Sequence, residues 1–208
     1  PGNAVDPVLQ AGHRIGFEVL RATANPGQRL GCFLAGQGRE LVATGAGGIL
    51  LAAEMLGHAA AGAVHVPGGG THHGLPDRAN GFCYLNDPVL GILRLKALGL
   101  TRIAYVDIDA HHCDGVELAF AGDPAVRMIS VHEEGRWPFT GALEADGGGN
   151  AFNLPVPRGL NDTEMRAVLD GLILPRVEAF RPEVIVLQAG ADALLEDPLS
   201  RLALSNNA

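Results

Sequence analysis

Apolar residues along this chain recur in two rhythms, and the alternation between them outlines a fold. Over residues 6–22, Val8, Leu9, Ile15, Val19 and Leu20 fall at helical spacing, with Asp6 placed to cap and Pro7 in the first turn. Similar reasoning predicts a buried helix over 47–58 and a helix over 86–99 with Asn86 or Asp87 as its cap and Pro88 near its start. A long amphipathic helix over 162–180 should kink at Pro175. Between these lie short, nearly unbroken apolar runs that read as strands, at 61–66, 102–109, 125–131 and 183–190.

Strands that alternate with helices predict parallel pairing, and strands apolar on both faces predict a sheet covered on both sides. The expected class is α/β, a mainly parallel sheet flanked by helices. Length favours one domain spanning residues 1–208. In such sheets ligands bind beyond the carboxyl ends of the strands. Three of the runs carry polar residues there: His72 and His73 in "PGGGTHHG", the cluster "DIDAHHCD" after 102–106, and Asp192 in "QAGADALLED". If the strands are neighbours, the three sets meet on one rim.

The cluster is the most informative stretch. Asp107, Asp109 and His111 are spaced i, i+2, i+4, so an extended chain turns them to one face. Two carboxylates projecting together repel unless a cation lies between them. Asp109, His111 and Asp192 would form a three-ligand set of oxygens and one nitrogen, which leaves positions open for water and substrate as catalytic zinc requires. A surface loop with acidic caps would carry some of the same letters, but five polar groups within eight residues after an apolar strand exceed what capping needs. The tandem histidines need a loop to present both to one centre, and Gly68, Gly69, Gly70 and Gly74 supply its freedom. With different carboxylate partners they could act as base and acid. Asp107 and Asp114 are the carboxylates available for that pairing.

Composition narrows the class further. With 47% hydrophobic and 18% charged residues the chain is globular in type, and a net charge of −8 with no basic stripe argues against a nucleic-acid partner. The longest apolar stretch is broken by Glu54 and His58, so no membrane span is expected. Three cysteines (Cys32, Cys83 and Cys113) without CxxC spacing predict reduced thiols and a cytoplasmic protein.

"PGGGTHH", "GFCYLND", "YVDIDAHHCDGV" and "LQAGADAL", in that order, resemble the zinc-dependent histone deacetylase family, which includes the bacterial acetoin-utilization deacetylase-like proteins and acetylpolyamine amidohydrolases. The resemblance runs from about residue 44 to the end. It implies the three-layer arginase/deacetylase fold, with zinc on Asp109, His111 and Asp192. It further implies His72 as general base oriented by Asp107, and His73, paired with Asp114, as the group that protonates the leaving amine. Gly81, Phe82 and Trp137 match the walls of a narrow acyl-lysine tunnel. A monovalent cation, typically potassium, is implied at Asp107, Asp109, Ser130 and the carbonyls of His111 and Val131.

The activity implied is removal of acetyl or another short acyl group from a lysine peptide, a polyamine or a small acetylated amine by zinc-activated water. Fe(II) or Co(II) would accept the same ligands. Cys113 stands where many members have glycine; it reads as packing, with a redox-sensitive thiol as the alternative. Cys83 also reads as packing. His65 and His132 read as satisfied core or rim histidines, and His13 and His58 carry no assigned role.

The family's oxyanion-binding tyrosine has no counterpart, since Tyr84 and Tyr105 both precede the last proposed ligand. The family's N-terminal strand and substrate-rim loop are also not recognisable in residues 1–43. The expectation is a piece of a longer enzyme, truncated at both ends, inactive or weakly active at this extent while keeping its metal ligands. Two alternatives stay open: a two-metal arginase-like ureohydrolase, and an inactive acyl-lysine binding module. Substrate identity and oligomeric state are open as well.

Overall fold

The structure, a computed structural model, describes residues 37–59 and 61–207. The helix expected over 6–22, together with His13 and Cys32, lies outside the described residues. The chain forms two compact units, Pro1–Gly99 and Leu100–Ala208.

In the first unit, helix α1 (Gln37–Gly57) and helix α2 (Asp87–Ala97) pack together. Gly91 permits their close approach, because a Cβ there would come within 2.5 Å of Ile49 Cγ2. Arg94 Nε donates to Glu54 Oε1 at 2.6 Å along the same seam. Asn86 caps α2, its side chain accepting from Val89 N at 3.1 Å, and Pro88 occupies the first turn as expected. One expectation fails. Residues 61–66 form no strand, and residues 61–65 are exposed, His65 among them. The run is short and rich in Ala and Gly, so it offers little side chain to bury against a sheet.

The second unit is built on four strands: β1 (Ile103–Asp107), β2 (Val126–Glu133), β3 (Ala151–Val156) and β4 (Val184–Gln188). Their order is β3-β2-β1-β4, and every pairing is parallel. All five residues of β1 are buried, as a central parallel strand requires. Register sets Asp107 opposite Ser130 on one side and Gln188 on the other, so β1 and β4 end at the same level beside β2, which runs three residues further.

Helix α3 (Asp114–Phe120) follows β1 directly. Helices α4 (Asp162–Val168) and α5 (Leu174–Phe180) are joined by a π-helical turn over Leu169–Ile173. The expected kink thus takes the form of a π-turn immediately before Pro175, which has no N–H to donate. Met165, Ile173 and Val177 from this helical stretch pack on Val106, Ile129, Val131, Leu154 and Val156 of the sheet. Among the described residues no helix is long and apolar enough to cross a membrane.

Candidate metal centre

β1 delivers its last residue, Asp107, to the rim, and the chain then stays tight rather than forming a free loop. Asp109 N donates to Asp107 Oδ1 at 3.0 Å, and His111 N donates to Asp109 Oδ1 at 2.8 Å. These two i+2 bonds turn the chain so that Asp109 and His111 share a face. On the neighbouring strand, β4 ends at Gln188, and a 3-10 turn over Ala191–Ala193 brings in Asp192. Ala110 N donates to Asp192 Oδ1 at 3.0 Å and so fixes that carboxylate against the β1 loop.

One ligand atom each from Asp109, His111 and Asp192 lies within 4.8 Å of the others. His111 Nδ1 faces both carboxylates, 2.7 Å from Asp192 Oδ2 and 3.2 Å from Asp109 Oδ1. Hydrogen bonds accepted by Asp109 and then Asp192 raise the imidazole's pKa to about 9, against the opposing effect of burial. The two carboxylates therefore attract positive charge to the point that Nδ1 faces. The donor set fits a divalent ion: two carboxylates neutralise it, and a third, neutral nitrogen donor completes an open site. Gln188 Nε2 holds the remaining oxygen of Asp109, Oδ2, at 3.0 Å, the kind of outer support that orients a ligand. Gly190 must stay glycine here, because a Cβ would come within 2.0 Å of Asp109 Oδ2.

Around this centre the rings of Trp137 and His111 meet edge to face, with centroids 6.2 Å apart. Its loop is held by two buried histidines. His112 Nδ1 lies 2.8 Å from Thr140 Oγ1 and its Nε2 lies 3.0 Å from Glu117 Oε2. His132 Nε2 donates to the Gly141 carbonyl at 2.9 Å, so its Nδ1 accepts from Ser130 Oγ at 3.0 Å. His132 is thus a satisfied core histidine, and burial followed by the charge of His112 holds its pKa down near 4. Asp107 accepts from Tyr105 Oη as well as from Asp109 N. Asp114 opens α3, where its Oδ1 accepts from Gly115 N at 2.9 Å.

Cys113 is buried, and desolvation followed by the charge of Asp107 pushes its thiol well above the usual range. That is the behaviour of packing, not of a reactive thiol. Cys83 is likewise buried, as its reading as a packed residue requires.

In the first unit, His72 and His73 are buried with ring centroids 3.9 Å apart. Their loop is pinned by the start of α2. Gly70 N and Thr71 N donate to the two oxygens of Asp87 at 2.7 and 2.6 Å, and Thr71 Oγ1 also donates to Asp87. Asn86 Nδ2 donates to the carbonyls of His72 and Gly74, and Asn80 Nδ2 to that of His73. Gly81 and Phe82 both adopt positive φ, and Phe82 is 96% exposed. Asp87 and Gln188 were missed as functional residues in the sequence. The available signal for Gln188 was a polar side chain at the rim end of the most apolar run; Asp87 was hidden by its resemblance to an ordinary helix cap.

The deciding comparison is with known families: residues 15–208 match the Histone deacetylase domain. The chain belongs to the histone deacetylase family. It is 40% identical over 140 residues to Histone deacetylase HOS1 of Saccharomyces cerevisiae, covering 66% of this chain and 30% of that protein. It is 42% identical over 143 residues to Histone deacetylase 8 of Xenopus laevis, covering 66% and 43%. It is 37% identical over 169 residues to the acetoin utilization protein AcuC of Bacillus subtilis, covering 77% and 43%. The chain thus spans well under half the length of these curated relatives.

Two solved structures of HDAC homologues superpose with a TM-score of 0.76, one of them in complex with SAHA and the other from Aquifex aeolicus. Their identities are 36% and 35%, and each match covers 98% of this chain and 60% of the other. The chain therefore has the arginase/deacetylase fold expected from its motifs.

Proposed function

We propose that this chain carries the metal centre of a zinc-dependent deacetylase that removes acetyl or similar short acyl groups from lysine or polyamine-type amines. The observation that carries the reading is the convergence of Asp109, His111 and Asp192 within 4.8 Å at the rim of a parallel sheet. Membership of the histone deacetylase family supports it.

Bound at these three side chains, a zinc ion would polarise the acyl carbonyl and bring the pKa of its water toward ~7. The chain's own residues do the rest. Asp109 and Asp192 offset the ion's charge, while Gln188 and the Ala110 amide keep their carboxylates oriented. His72 takes the proton of the attacking water, and His73 delivers one to the departing amine. Trp137 would wall the acyl-lysine stem, and the tunnel roles of Gly81 and Phe82 are those the family resemblance implies. Asp107, Asp109, Ser130 and the carbonyls of His111 and Val131 would hold a monovalent cation, whose charge would offset that of the buried Asp107 and Asp109.

The test is zinc stoichiometry on the 208-residue chain, together with acetate release from an acetyl-lysine peptide and an acetylated polyamine. One equivalent of zinc and slow release, both lost in Asp109→Asn, are expected. Two equivalents would favour the ureohydrolase reading, and peptide binding without any metal would favour the binding module.

A further inference from the structure

We propose that Glu133 and Arg136 form a positioning device that couples the wall residue Trp137 to the metal ligand Asp192; this rests on the metal site proposed above. Glu133 is the last residue of β2 and its side chain is wholly buried. A carboxylate in that position is costly unless its oxygens are matched by donors. Here they are matched by a fork. Arg136 Nε donates to Oε2 at 2.6 Å and Arg136 Nη2 to Oε1 at 2.9 Å, while Arg201 N donates to Oε2 at 2.7 Å. Arg158 Nε adds an ion pair at 3.3 Å. Burial alone would raise the carboxyl's pKa, but the hydrogen bonds from Arg136 and Arg201 outweigh it and hold it below its ordinary value.

The fork reaches in two directions. Arg136 Nη1 donates to the Leu199 carbonyl at 2.6 Å, so residues 199–201 are strapped to the end of β2. The next residue in that strap, Ser200, donates its hydroxyl to the Asp192 carbonyl at 2.5 Å. Glu133 N also donates to the carbonyl of Ala110, the residue between two metal ligands, at 3.0 Å. On the other side Arg136 is covalently next to Trp137, whose ring meets that of His111 edge to face. A planar guanidinium in a bidentate fork is specific in angle as well as distance. The wall and the last ligand are therefore set by one rigid pair.

Zinc competition against a chromophoric chelator reads one end of this coupling, and Trp137, the sole tryptophan, reads the other through its fluorescence. For the 208-residue chain carrying Glu133→Gln, we expect zinc affinity to fall about tenfold or more, in the range seen for outer-shell partners of metal ligands. Acrylamide quenching of Trp137 should rise in the same variant. Ser200→Ala should weaken zinc alone, and adding it to Glu133→Gln should cost little more if the path runs through that hydroxyl.

Should Glu133→Gln fail to fold, Arg136→Lys keeps the charge, breaks the fork and must give the same two changes. A folded Glu133→Gln or Arg136→Lys protein with wild-type zinc affinity and unchanged quenching overturns the coupling. A wild-type chain that binds no zinc overturns the metal reading and the coupling with it, and is told apart by that control.

Discussion

His111 Nδ1 lies 2.7 Å from Asp192 Oδ2, although the two residues are 81 positions apart in the chain. The contact joins the end of β1 to the end of β4, which are adjacent and parallel in the sheet. Fold topology, not local sequence, thus creates the point where positive charge is held.

A pH dependence follows for the metal-free protein. His111 is raised from 6.5 to about 9 in the fold. A raised pKa stabilises fully below the unfolded value, and that contribution is lost as pH climbs from about 6.5 to about 9. Melting temperature should fall across this window in wild type and fall less in Asp192→Asn. Zinc must displace the same proton, so its affinity should rise over the same range. His132 acts in the opposite sense. Held near 4, it contributes stability present above about 6.5 and lost as pH drops toward 4. Thermal scans of His132→Asn should lack this acid-side component.

Gly190→Ala places a methyl where Asp109 Oδ2 now sits. The backbone can accept alanine, since φ is −63°. The cost therefore falls on the ligand rather than on the turn. Zinc affinity should weaken by about tenfold or more, with an overpacking loss of roughly 1–3 kcal/mol in urea denaturation. Unchanged zinc affinity would show that Asp109 has another way to reach the ion.

Asp87→Ala strips the partner from Gly70 N, Thr71 N and the Thr71 hydroxyl. These donors are part-buried, so each costs toward the lower end of the about 1–3 kcal/mol of a buried donor left unsatisfied. The variant should be destabilised by at least one such loss and should release acetate more slowly, because the loop carrying His72 and His73 is no longer pinned. Zinc stoichiometry should remain one per chain, since no proposed metal ligand depends on Asp87. Loss of metal binding in a folded Asp87→Ala protein would contradict this division of labour.

Much of this was legible in the sequence, for identifiable reasons. "RIAYVDID" and "EVIVLQAG" both form strands where expected, but only β1 is buried throughout. β4 lies at the sheet edge with Ile185 and Leu187 exposed, so the expected cover on both faces does not extend to it among the described residues. The grouping of Asp109, His111 and Asp192 followed from placing them just past those strands.

The misses are equally physical. Residues 61–66 mimic a strand by composition but have no strand partner among the described residues. β3 was overlooked because Pro155 argues against a strand, yet β3 is an edge strand where proline is tolerated. α3 has only seven residues, too few for a helical period to show beside the polar cluster. The Gln188 support depends on register and on a contact between neighbouring strand ends, which no local pattern encodes. Glu133 and Arg136 are only three residues apart, but the burial that makes the pair matter is set by the fold.

Zinc-edge X-ray absorption on the zinc-loaded chain tests the central claim most directly. Two carboxylates and one imidazole predict a shell of light donors near ~2.0–2.1 Å with no sulfur. A sulfur shell near ~2.3 Å, or a second metal at about 3.5–4 Å, would contradict a single ion held by Asp109, His111 and Asp192.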